Sequence, residues 1–168
     1  YNELGAAAAA YNADEKELCR LDEIYSAVKT PFEIRSGSEK VTRRFFKICN
    51  NGRESFTGLY KSLTEQGICK GHQCIAYGLY MRDNGIELSE GLAVYGYSIC
   101  SAIVTNCVKL VPLSQLAGQK ILGESFELIS SASEKALFTD INDIGISGAG
   151  FDLRAMQHER LYSRQYMS

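Results

Sequence analysis

The residues best suited to chemistry lie in three short stretches. Cys69-Lys70-Gly71-His72-Gln73-Cys74 sets two thiols and an imidazole close together, and thiolate with imidazole is a soft donor set suited to zinc or nickel. The spacing is not that of a zinc knuckle and no second ligand pair follows. The same residues equally describe a helix start, with His72 near its N-terminus and the cysteines turned inward. Gly145-Ile146-Ser147-Gly148-Ala149-Gly150 is glycine-rich, but it has no lysine for a phosphate and follows no predicted strand, so it reads as a connector. His72 and His158 are the only histidines. With no G-x-S-x-G element, nucleophilic hydrolase chemistry has no local support.

The third stretch is the carboxyl terminus. From Met156 to Ser168 it carries His158, Arg160, Tyr162, Arg164 and Tyr166, where a chain end is ordinarily polar and frayed. Tyrosine and arginine are the side chains most enriched at interface hot spots. Composition leaves two readings open: Leu161 and Tyr162 dock on this protein's own core, or the segment binds a partner.

Elements must hold these stretches in place, and composition says which kind. The 168 residues are 45% hydrophobic and 23% charged, with a mean hydropathy of -0.15, as in an ordinary globular domain. Only two prolines occur, and proline is excluded from helix interiors, so the balance favours an all-α chain. Eighteen basic against twenty acidic residues give a net charge of -2, without the positive excess that nucleic-acid binding needs. Arg43 and Lys47 form one cationic helix face, read as solvated or as a protein contact. No uninterrupted apolar run is long enough to span a membrane and no secretory leader opens the chain, so a cytoplasmic location with six reduced cysteines is expected.

Periodicity predicts a single-domain bundle of about seven or eight helices with a C-terminal tail. The alanine-rich start, Tyr1 to Tyr11, enters as helix with no start signal. Asp14 caps a second helix through about Ala27. Thr30 as N-cap, Pro31 at the first helical position and Glu33 closing a capping box start a third. Shorter helices follow over Glu54 to Glu65 and His72 to Arg82. The longest apolar stripe, Leu88 to Leu110, is expected at the centre of the core, with Pro112 ending it. One helix is predicted from Leu113 to Leu137, a flexible loop over 139–151, a last helix over Asp152 to Ser163, and a tail over 164–168.

Several of these segments resemble one family. Val104-Thr105-Asn106-Cys107-Val108-Lys109-Leu110-Val111-Pro112-Leu113-Ser114-Gln115, then Gly118-Gln119-Lys120-Ile121-Leu122, and the ending Ala155-Met156-Gln157-His158-Glu159 with Leu161-Tyr162-Ser163-Arg164 and Ser168, are similar to the urease accessory proteins called UreF. Weaker similarity reaches back through His72, Tyr77-Gly78 and Phe32-Glu33-Ile34-Arg35. The resemblance implies an all-helical, cytosolic, non-enzymatic scaffold, with no cofactor or metal of its own. It would join the urease-binding protein UreD (also called UreH) to the GTPase UreG, so that nickel reaches the urease apoprotein. It further implies a possible homodimer.

By that resemblance Arg164 and Tyr162, with Tyr166 and His158 around them, fall in a tail that orders on UreD. Lys109 falls at a basic position discussed for the GTPase partner, and Tyr97 on a dimer surface where Ala93 stands in place of an arginine found in some relatives. Gln115 and Gln119 match as cap and packing residues. Two other roles stand beside the scaffold: regulation of UreG's GTP hydrolysis, with Lys109 or an arginine supplying charge, and a generic helical interaction domain. Direct nickel carriage by Cys69, His72 and Cys74 is a third. The family's amino-terminal Pro-x-Gly-x-aromatic segment has no counterpart here, so a UreF-like domain lacking its first helices is expected.

Overall fold

Helix starts leave backbone N–H groups without partners, and the ways this chain satisfies them largely decide its architecture. The computed structural model describes residues 2–49, 52, 54–145 and 148–162. Among these, α1 (Asn2–Asn12), α2 (Glu15–Val28), α3 (Phe32–Ile48), α4 (Phe56–Glu65), α5 (Gln73–Asp83), α6 (Leu88–Leu110), α7 (Gln115–Glu124), α8 (Phe126–Ala136) and α9 (Ala149–His158) follow in order, with one 3-10 turn at Ile141–Asp143. The fold is all-α.

The centre of the core is α5 packed on α1. Cys74, Ile75, Ala76, Leu79 and Met81 of α5 have no exposed surface, nor do Ala6, Ala7 and Ala10 of α1. Six of the eleven residues of α5 are buried. Gly78 permits the close approach: a Cβ there would overlap the carbonyl oxygen of Ala7. The alanine run therefore serves as a smooth face for a neighbouring backbone, beyond its helix propensity.

The long helix α6 was expected at the centre, and the structure corrects this. Only Gly91, Leu92, Tyr95 and Gly96 are buried, while Ile103 and Leu110 are more than half exposed. Its first turns join the core, where Tyr95 stacks on Tyr77 at 4.6 Å between ring centroids. The remainder runs outward. Among the described helices α6 alone has the length and apolar composition of a membrane span. Its glycines, however, receive protein: a Cβ on Gly91 would overlap Met81, and one on Gly96 would meet Ile129 at 3.0 Å.

Two other boundaries differ from expectation. The single helix expected over Leu113 to Leu137 is broken at Ser125, whose hydroxyl donates to the Ile121 carbonyl at 2.8 Å, a back-bond that bends helices. The last helix begins at Ala149 and ends at His158, and the 3-10 turn at Ile141–Asp143 falls within the stretch expected to be a loop.

Asp22 holds α2, α4 and the entry to α5 together. Its carboxylate is 2% exposed and accepts the Tyr60 hydroxyl at 2.6 Å, the Lys70 N–H at 2.7 Å and the Gly71 N–H at 3.1 Å. The Tyr60 oxygen in turn accepts the His72 N–H at 2.8 Å. Burial, reinforced by the Asp22 charge, pushes the Tyr60 hydroxyl well above its ordinary pKa, so it stays a donor. A second carboxylate, Glu3, joins α1 to α2 and α6 through Lys29 at 2.7 Å and Tyr95 at 3.3 Å. Burial alone would raise the Glu3 pKa. The Lys29 charge and the hydrogen bonds from Lys29, Tyr25 and Tyr95 reverse that and hold it below the usual carboxylate value.

His72 has no exposed surface. Its Nε2 lies 2.7 Å from Ser26 Oγ, and its Nδ1 has no partner among the described residues. A neutral ring donating from Nε2 to Ser26 leaves only a lone pair uncompensated. Burial lowers its pKa to about 4, Asp22 and Glu3 pulling it up against Lys29 and Arg35.

Two outcomes are expected. Asp22→Ala strands the buried Gly71 N–H and Tyr60 hydroxyl and the part-buried Lys70 N–H, and should cost roughly 3–5 kcal/mol by urea denaturation, with Tyr60→Phe costing about 1–3 kcal/mol. The second is a pH dependence. Above the unfolded histidine pKa of about 6.5 the His72 ring is neutral in both states, but from there down to about 4 the unfolded chain binds a proton that the fold refuses. Stability should fall across that window by on the order of 3 kcal/mol, and His72→Asn should flatten the profile of urea midpoints.

Candidate partner-binding surface

From Val94 to Lys109 the sequence of α6 has no charged residue before its last turn, yet Val94, Tyr97, Ile103 and Leu110 stand exposed. Two short helices flank it. Gly118 of α7 lets that helix sit against α6, since a Cβ there would meet Val108 at 2.7 Å and Val104 at 3.2 Å. Phe126 of α8 places its ring 5.9 Å from that of Tyr97, and both rings remain open to solvent. Small and polar residues, Ser98, Ser101, Ala102, Thr105 and Asn106, line a shallow hollow beside Tyr97.

Lys109 closes the far end of the same helix. It is exposed and sits at a hollow of about 310 Å³ with Val104, Thr105, Val108, Gln115, Gly118 and Gln119. Tyr97 and Lys109 are thus on one rod, about 18 Å apart along its axis at 1.5 Å per residue, and are not brought into one pocket. A third hollow, of about 540 Å³ and mainly apolar, opens between α1, α6 and α8 around Leu4, Ile99 and Leu128.

At the opposite end of the chain, α9 is fastened by polar contacts. Sequence reasoning expected Thr30 to cap α3 and Glu33 to close a capping box. Instead Pro31 occupies the N-cap position with no side-chain bond, and the Phe32 N–H donates to Glu159 Oε1 at 2.9 Å. Glu33 is turned to His158, with Oε2 2.7 Å from Nδ1. A carboxylate is favoured at a helix N-terminus, where the N–H groups and the dipole converge, and here it comes from a segment more than a hundred residues away. Nothing in the local sequence signals Glu159 in that role.

The large apolar side chains of α9 are mostly exposed. None of its residues is buried, Phe151 is 86% exposed and Leu153 61%, and Leu161 and Tyr162 beyond it also face solvent. His158, among the expected interaction residues, has an intramolecular partner in Glu33 and is half exposed. Arg164 and Tyr166 lie outside the described residues.

The Cys69, His72 and Cys74 cluster does not converge. Cys69 faces Cys19, His72 faces Ser26, and Cys74 is fully enclosed, its thiol pKa raised chiefly by burial. Among the described residues no group of three or more His, Cys, Asp or Glu side chains could hold a metal ion.

If α9 is held by Glu33 and Glu159, the double variant Glu33→Gln, Glu159→Gln should lose no more than about 1–2 kcal/mol, because both contacts are partly exposed. Hydrogen exchange followed by mass spectrometry should nevertheless show faster exchange across 149–158, with α5 unaffected.

The family described as UreF matches residues 1–125. The urease accessory protein UreF of Actinobacillus pleuropneumoniae serotype 5b is 34% identical over 158 residues, covering 94% of this chain and 70% of the relative. That of Haemophilus influenzae is 35% identical over 153 residues, 90% of this chain and 65% of the relative. The corresponding protein of Paenarthrobacter aurescens is 31% identical over 152 residues, 88% and 67% of the two chains. On the strength of this match across most of its length, the chain belongs to the UreF family of urease accessory proteins.

Proposed function

We propose that this protein is a non-enzymatic scaffold in urease maturation, acting in the cytoplasm. It joins UreD (UreH) to the GTPase UreG so that nickel, as cargo, is inserted into the urease apoprotein. Family membership is what carries this reading. The surface supports it, because α6 to α9 turn large apolar side chains such as Leu116, Leu128, Phe138 and Phe151 to solvent, and contiguous exposed apolar surface marks interaction sites.

Division of that surface follows the resemblance to the family, residue by residue. The α9 end, with Tyr162 and the tail residues Arg164 and Tyr166, serves the UreD contact. An arginine there offers a planar set of donors to partner carbonyls that lysine does not reproduce. Lys109, at the open rim between α6 and α7, serves the GTPase. Tyr97 and the small-residue strip beside it serve a homodimer, with Ala93 contributing little. Because Lys109 is exposed and has no ion-pair partner among the described residues, a second role in regulating GTP hydrolysis is kept. Unchanged GTP turnover by UreG on adding this protein removes that second role and leaves the scaffold intact.

The test is assembly of the full chain with UreD and UreG, followed by size-exclusion chromatography with light scattering. A stable ternary complex is expected, and a well-folded chain that joins neither partner overturns the proposal. Arg164→Ala should weaken UreD binding about tenfold or more, by the roughly 1.4 kcal/mol that such a factor represents, with helicity and Tm unchanged. A large fall in Tm would instead assign Arg164 to this protein's own fold.

A further inference from the structure

The sulfur atoms of Cys19 and Cys69 lie 3.9 Å apart, on segments separated by fifty residues. Both are free thiols. Among the described residues no other two cysteines are in contact. A disulfide bond is about 2.05 Å long, and turning two side chains about their Cα–Cβ bonds can close the difference.

The backbone around the pair is already tied. Cys19 stands one turn before Asp22 on α2, and Cys69 directly precedes Lys70 and Gly71, whose N–H groups donate to that same carboxylate at 2.7 and 3.1 Å. The hydrogen bonds that define the fold therefore hold the two cysteines side by side. Their surroundings differ. Cys69 is buried, and its thiol pKa is raised by burial, by the Asp22 charge and by Cys19. Cys19 is partly exposed. Cys74, close by in sequence, is enclosed by the α1 and α5 core and has no second cysteine to meet.

We propose that Cys19 and Cys69 are a thiol pair oxidised by peroxides to a disulfide that staples α2 to the segment leading into α5. The Cys19 thiolate attacks one oxygen of a hydroperoxide. The O–O bond breaks, giving a Cys19 sulfenic acid and water, or an alcohol from an organic peroxide. The Cys69 sulfur then attacks the Cys19 sulfur, the S–S bond forms, the S–O bond breaks, and a second water leaves with the Cys69 proton. Two thiols are oxidised by two electrons, and the peroxide is reduced by the same two. Because the two sulfur atoms already lie 3.9 Å apart, the cross-linked protein should keep its fold and become harder to unfold, a closed loop of this size restricting the unfolded chain strongly.

Treating the purified full chain with hydrogen peroxide, alkylating the remaining thiols under denaturing conditions and mapping peptides by mass spectrometry tests this. The expected result is a linked peptide joining Cys19 to Cys69, with the other four cysteines alkylated. Tm should rise by several degrees, and a dithiol reductant should reverse the rise. Cys19→Ser, at the less buried position, should fold normally and give no linked peptide. Six alkylated thiols after treatment, a different pairing, or Cys19 driven to sulfinic acid without a link would each overturn the proposal.

Discussion

A single buried carboxylate organises the first half of this protein. Among the described residues Asp22 has no ion-pair partner. It is held by two backbone N–H groups and a buried tyrosine hydroxyl. The dependence runs both ways. Gly71 can be buried because its N–H finds Asp22, and Asp22 can be buried because that N–H, the Lys70 N–H and the Tyr60 hydroxyl reach it. From that point Tyr60 reaches His72, and His72 starts the helix that fills the core.

The same device recurs at lower cost elsewhere. Asp83, at the end of α5, accepts the N–H groups of Phe56 and Thr57 at the start of α4, at 3.0 and 2.8 Å. Glu159 does so for Phe32. Each of these helices begins where a carboxylate from elsewhere in the chain meets it, which fixes direction as well as position. Carboxylates thereby fix where α3, α4 and α9 dock. The exposed apolar side chains assigned to partners lie mostly on α6 to α9, of which α6, α7 and α8 are held by packing through Leu92, Tyr95, Leu122 and Ile129.

How much of this could be read beforehand depended on whether the cause was local. Asp14 capping α2 was legible because its partner, Glu17, is three residues away, and both halves of the capping box form. Thr30-Pro31-Phe32-Glu33 looked equally clear and was misread, since Glu33 is drawn off by His158 and Glu159 takes its place. The stripe of α6 was legible as a stripe, but periodicity reports which face could be buried and not what is there to bury it. Only its first turns find neighbours in the core. Similarity to UreF carried the function. Of the residues it suggested, Tyr97 and Lys109 turned out to share one helix and Tyr162 to face solvent, while Arg164 and Tyr166 lie beyond what the structure describes.

The distance in sequence between Phe32 and Glu159, 127 residues, has a meaning for how the chain is made. Synthesis proceeds from the amino terminus, and segments fold as they emerge. The helix α3 is therefore complete, with a bare first turn, long before the residue that finishes it exists. Until Glu159 has been made, that turn lacks its carboxylate and is left to water. In this protein an early helix waits for its finishing contact on a residue synthesised 127 positions later.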